Sequence, residues 1–151
     1  MSELIDNIMA VMDRAFDPCF GEAWTRKQVT DSLDLPNTHC IVVGADGQPT
    51  SDKAEPVGFL LSRAAPGEEE LLLIGVIPEY RDLGLGTVLV KRFLKCAQER
   101  GADHVFLEMR HNNPAMSFYK RNGFEPIGKR PNYYRASNGE RLDAITFSKK
   151  L

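Results

Sequence analysis

The chain has 151 residues, 42% hydrophobic and 26% charged, which suits one domain (residues 1–151) with a full apolar core. A formal net charge of −2 and a pI of about 5.9 argue against general nucleic-acid or membrane-surface binding, and no apolar run reaches the length of a membrane helix. Three widely spaced cysteines (Cys19, Cys40, Cys96) rule out a disulfide scaffold, and the opening Met1-Ser2-Glu3-Leu4-Ile5-Asp6 has no secretory pattern, so a reducing, cytoplasmic setting is expected.

Leu4, Ile5, Ile8, Met9, Met12 and Phe16 recur at helical spacing, which predicts an amphipathic helix from about Leu4 to Phe16, broken by Asp17-Pro18. Thr25 and Gln28 form a capping box for a second helix to about Leu33, with Trp24 placed to staple onto Val29. His39–Val43 and Val57–Leu61 read as a strand pair joined by a long, mobile loop over 44–56. Ala65-Pro66-Gly67 is a turn. Leu71–Ile77 is apolar at nearly every position, as in a strand buried on both faces.

Leu85, Val88, Leu89, Phe93, Cys96 and Ala97 mark the buried stripe of a helix that Gly101 closes, with Lys91, Arg92 and Lys95 on its solvated side. His104–Met109 is the next strand. Asn113-Pro114 caps a short helix over Pro114–Arg121, stopped by Gly123. Phe124–Ile127 and Leu142–Phe147 are the last strands, flanking a loop over Pro131–Gly139. The order α α β β β α β α β β gives an α/β (α+β) fold. Its mixed, mostly antiparallel sheet has about six to seven strands, helices on both faces and a central parallel β-α-β unit.

Chemistry concentrates in Arg81-Asp82-Leu83-Gly84-Leu85-Gly86-Thr87, a glycine-bearing turn between the apolar strand and the long helix. Such a turn gathers unpaired N–H groups at the positive end of a helix dipole, where a pyrophosphate fits. The spacing is not that of a Walker P-loop. Nor is it a dinucleotide fingerprint, since Leu89 stands where a third glycine belongs. What remains is Arg/Gln-x-x-Gly-x-Gly/Ala. With the preceding Leu73-Ile74-Gly75-Val76-Ile77-Pro78-Glu79-Tyr80, this stretch resembles the acetyl-CoA motif of the GCN5-related N-acetyltransferase (GNAT) family. The later Asn113-Pro114-Ala115-Met116-Ser117-Phe118-Tyr119-Lys120-Arg121-Asn122-Gly123-Phe124 is similar to the second motif of that family.

The resemblance implies a set of roles. The amides of Asp82, Leu83, Gly84, Leu85, Gly86 and Thr87, in the turn headed by Arg81, would hold the pyrophosphate of acetyl-CoA. The pantetheine arm would lie along Ile74, Gly75 and Val76, where the strand splays from its neighbour, and the Val76 N–H would polarise the thioester. Glu108 would be the base, Tyr119 the acid toward the CoA sulfur, and Asn113 or Asn112 a cofactor contact. Glu108 has a rival reading as a structural partner of Arg110. Acetyl would pass from acetyl-CoA to an amine by direct attack, without a metal, a nucleic acid or a membrane. A cysteine relay is disfavoured because His39 and Cys40 are strand neighbours on opposite faces.

Lys129-Arg130-Pro131-Asn132-Tyr133-Tyr134 and Asn138-Gly139-Glu140-Arg141-Leu142-Asp143-Ala144-Ile145 resemble the RimI-type ribosomal-protein-alanine N-acetyltransferases, which implies a peptide or protein N-terminus as acceptor; the alternatives are a small amine or a lysine side chain, or a non-catalytic acetyl-CoA-binding module. From Glu108 to Tyr119 is a step of eleven positions, one fewer than that type leads one to expect. Either the intervening turn absorbs the deletion or Glu108 is not the base.

Overall fold

The computed structural model describes residues 2–16, 22–50 and 55–151. Helix α1 (Ser2–Ala15) buries Ile5, Ile8, Val11 and Met12, with Val11 in the stripe and Met9 on its flank. Helix α2 (Arg26–Leu33) starts at the capping box: Thr25 Oγ1 accepts from the Gln28 N–H at 3.2 Å, and Gln28 Oε1 accepts from the Thr25 N–H at 2.8 Å. Trp24 packs into the cluster that holds Val29. The expected helix break at Asp17-Pro18 lies outside the described residues.

Six strands follow: β1 (Thr38–Val43), β2 (Gly58–Ala65), β3 (Glu68–Val76), β4 (His104–Arg110), β5 (Glu125–Arg135) and β6 (Arg141–Lys150). They form one mixed sheet in the order β1-β2-β3-β4-β6-β5, in which only β3 and β4 run parallel. Helix α3 (Leu85–Glu99) makes the crossover between those two, and α4 (Met116–Arg121) follows β4. Alternation along the strands sends Leu60, Leu71, Val105, Leu107 and Phe147 toward α3 and α4, and Val42, Phe59 and Leu61 toward α1 and α2. The sheet therefore carries a core on each face.

Four features differ from the sequence reading. Residues 44–50 of the long loop are tied down: Arg92 Nη2 donates to Gly47 O at 3.2 Å and to Gln48 Oε1 at 3.1 Å, so Arg92 serves the loop rather than a solvated face. Strand β3 begins at Glu68, before the apolar run. Strand β5 continues through most of the expected Pro131–Gly139 loop. Arg130 faces Ala144 and Tyr134 faces Leu142, so three residues of β5 oppose one of β6 in a bulge. Asn132 takes φ +55 there, and its N–H donates to Asp143 Oδ1 at 2.9 Å. Finally, α4 begins at Met116, after a turn in which Asn113 Oδ1 accepts from the Ala115 N–H at 2.9 Å.

The start of β3 is secured by a buried charge. Glu69 is fully buried, and it accepts Arg100 Nε at 2.8 Å and Ser62 Oγ at 2.6 Å. Burial pushes the Glu69 carboxyl up, but the Arg100 and Ser62 hydrogen bonds and the Arg100 charge outweigh it and hold the group below its ordinary range. Removing Arg100 strands that carboxylate. Arg100→Leu is expected to cost about 3 kcal/mol in urea unfolding at pH 7. A depressed folded value means the stabilisation is present above the unfolded carboxylate pKa and fades as pH falls through the lower folded one. The wild-type stability should therefore decline below about pH 5, and that part of the decline should shrink in the variant.

Candidate active site

Parallel pairing of β3 with β4 stops after Glu68↔His104, Glu69↔Val105 and Glu70↔Phe106. Strand β4 runs on to Arg110 against β6. On the other side of β3, Leu61 faces Leu73 and Ser62 faces Leu71, so Leu72 is an extra residue in a bulge. The two strands separate past Glu70 and leave a slot of about 870 Å³ between residues 71–76 and 107–110.

The polarity of that slot follows from the antiparallel ladder. The Ile77 N–H donates to Val57 O at 2.9 Å. Bonded and non-bonded pairs alternate along such a ladder, so Gly58↔Val76 is a non-bonded pair and the Val76 N–H points away from β2, into the slot. Gly75 is required by contact: a Cβ there would lie 2.9 Å from Phe59 Cε1 and 3.1 Å from Ala15 Cβ.

Past Val76 the chain makes a short 3₁₀ turn, Pro78–Tyr80, and then the glycine turn. Asp82 has φ +62 and Gly84 φ +83. Gly84 is the N-cap of α3 and offers no side-chain cap, which leaves the first N–H groups of the helix for an anion. Gly86 lies under the Phe118 ring, where a Cβ would approach to 3.2 Å. The Arg81 guanidinium is spent on the protein itself: Nε donates to Val76 O at 3.1 Å, and Nη2 donates to Ala15 O. Arg81 thus fastens the end of β3 to the end of α1.

Glu108 and Tyr119 meet in the same slot, as do Asn113 and Thr87. The Glu108 side chain is 20% exposed, with Oε1 3.4 Å from Arg130 Nη2; its Oε2 is buried and has no hydrogen-bond partner among the described residues. Arg110, its partner in the rival reading, donates from Nε to Glu22 Oε1 at 3.3 Å and from Nη1 to Asn112 Oδ1 at 2.8 Å. Tyr119 is 6% exposed, set edge-on against Phe118 and Phe124. Burial, and secondarily the Glu22 charge, push its phenol above the ordinary value.

A family model described as the acetyltransferase (GNAT) family matches residues 9–124. The chain belongs to the acetyltransferase (GNAT) family. It is 29% identical over 92 residues to the ribosomal protein bS18-alanine N-acetyltransferase of Haemophilus influenzae, an alignment covering 61% of this chain and 63% of that protein. It is 40% identical over 81 residues to the N-alpha-acetyltransferase RimI of Mycobacterium tuberculosis, covering 53% and 49% respectively. The chain thus spans between about half and two thirds of these relatives. The crystal structure of the ribosomal-protein-S18-alanine N-acetyltransferase from Escherichia coli superposes with a TM-score of 0.78 at 25% identity, over 97% of this chain and 86% of that one.

Of the residues the sequence singles out, Ile74, Gly75 and Val76 line one wall of the GNAT slot, with Arg81, Asp82, Gly84, Gly86 and Thr87 at its glycine end. Leu83 and Leu85 do not line it: Leu83 is 67% exposed, and Leu85 is buried in the core on the α1 side. Sequence reasoning missed Glu22, Glu70 and the new pairing of Arg110. Glu70 closes the paired part of β3 beside Glu108; burial and the Glu108 charge push its carboxyl up. No local pattern marks these residues, because the topology brings them together from three separate segments. The cysteine relay fails on proton affinity, since burial pushes the Cys40 thiol up to about 11. Cys19 lies outside the described residues.

Two glycines separate contact from conformation. Gly75→Ala is expected to destabilise by about 1–3 kcal/mol through its clash with Phe59. Gly84→Ala meets no atom within 4 Å but must hold φ +83, so it should cost about 1 kcal/mol and raise the Kd for CoA. Thermal unfolding and CoA titration distinguish the two.

Proposed function

We propose that this chain, as one domain and in the cytoplasm, transfers acetyl from acetyl-CoA to the N-terminal α-amine of a peptide or protein, a ribosomal protein among the candidate acceptors. The observation that carries the reading is the convergence of Glu108 and Tyr119 on a slot that ends in a glycine turn with free helix N–H groups. The pyrophosphate sits on the 82–87 amides, the pantetheine extends β3 along residues 74–76, and the thioester carbonyl accepts from the Val76 N–H. The acceptor nitrogen attacks the carbonyl carbon, the C–S bond breaks, and the thiolate leaves.

Glu108 takes the proton that the nitrogen sheds, directly or through water. An α-amine has a pKa of about 8, so roughly a tenth is neutral at pH 7; a lysine amine at about 10.4 is neutral on the order of once in a thousand. One half-buried carboxylate is adequate for the first. Tyr119 remains a phenol throughout the working pH range. Its pKa lies above about 10, whereas thiols ionise near about 8.5, so outright transfer to the thiolate is uphill. Tyr119 therefore stabilises the developing thiolate as a hydrogen-bond donor, and solvent supplies the final proton.

CoA release is the test, against Ala- and Ser-starting peptides, the same peptides blocked at the N-terminus, and polyamines. Release only with free N-termini supports the reading; release with blocked lysine peptides or polyamines overturns the acceptor class. Glu108→Gln should lower kcat by about 10²-fold with the Kd for acetyl-CoA unchanged. Tyr119→Phe should lower kcat by about tenfold, the loss of one hydrogen bond to a developing charge.

A further inference from the structure

Beside Glu108 and Tyr119, the slot contains a carboxylate that the chemistry above does not use. Glu22 stands on the segment between α1 and α2 and lines the slot with Tyr119 and Glu108. Its partner Arg110 lies two residues beyond Glu108 on β4, the spacing that puts both side chains on one face. The pair is unequal in exposure: the Arg110 side chain is 8% exposed and that of Glu22 23%. The cation is the buried anchor, and Asn112 Oδ1 fixes it further at 2.8 Å. The carboxylate is the open member and faces the space where an acceptor must arrive. Its charge bears on the phenols of both Tyr119 and Tyr134.

An α-amine at neutral pH arrives mostly as an ammonium, a donor of charge-assisted hydrogen bonds for which a carboxylate is the fitting acceptor. We infer that Glu22, oriented by Arg110, receives the ammonium group of the acceptor at the mouth of the slot and selects charged amines over neutral groups of the same shape. Arg110 is then a positioning residue. The inference rests on the amine-acetylating reading and assigns recognition to Glu22 separately from proton removal by Glu108.

The experiment is binding, without turnover, to the enzyme loaded with CoA. Two ligands are compared by calorimetry: an Ala-starting peptide with a free amine, and the same peptide N-acetylated. In the wild type the free amine should bind about tenfold more tightly. Glu22→Gln should abolish that preference while leaving affinity for CoA and for the acetylated peptide unchanged. Arg110→Met should reduce the preference too, and the double variant should be no worse than either, since the two act as one unit. Equal weakening of both peptides would reduce the pair to a tether of the α1–α2 segment and overturn the inference, as would an unchanged preference. If Glu22→Gln loses CoA affinity, the wild type decides with a des-amino peptide: affinity equal to that of the free amine overturns the inference. If polyamines are acetylated and peptides are not, the N-terminal reading falls, and a polyamine with its acetylated product tests Glu22 in the same way.

Discussion

The site exists because β3 cannot stay beside β4. Its first three residues are fixed in parallel register, and Glu69, locked by Arg100 and Ser62, holds that half against the sheet. Leu72 then adds a residue that the β2 ladder cannot pair, and the strand turns. At its far end Arg81 ties Val76 O to the last turn of α1, which draws β3 toward the helix and away from β4. Strand β4 is held straight by continuous pairing with β6. Past Glu70 the facing edges of the two strands have no strand partner, a gap that a ligand with amide groups of its own fills by extending the ladder. The pantetheine arm of acetyl-CoA has such groups, so the splay and the donor are two sides of one constraint.

Most of the fold was legible because it follows from periodicity and punctuation. The capping box at Thr25, the glycine stops and the 3.6-residue stripes specify helices by local chemistry, and the structure keeps them. The glycine turn was legible for the same reason: Gly84 needs positive φ and Gly86 needs room under Phe118, both demands on single residues. What was not legible depends on distance. Arg92 looks solvated on a helical wheel, yet it is claimed by a loop more than forty residues earlier. Strand β5 is exposed along almost its whole length, so it has no hydrophobic alternation to announce it; pairing with β6 alone makes it a strand. Glu22 and Arg110 meet across 88 positions of sequence, and nothing local marks either.

The charges around the slot have a further logic. Three carboxylates approach it, and each has an arginine nearby: Arg110 beside Glu22, Arg130 beside Glu108, and Arg63 opposite Glu70 in the β2–β3 register. Each carboxylate thus has an opposite charge beside it. The arginines are not equivalent. Arg110 is buried and held in two directions, so its pair with Glu22 is a fixed feature. Arg130 is 58% exposed, sits 3.4 Å from Glu108, and stacks over Tyr133 at 5.2 Å. Solvent screens so open a pair. Glu108 is therefore the carboxylate most easily released to a water or an amine, with one oxygen already without a partner among the described residues. Weak pairing at Glu108 and firm pairing at Glu22 fit the proposed division between a base that must exchange partners and a receptor that must stay in place.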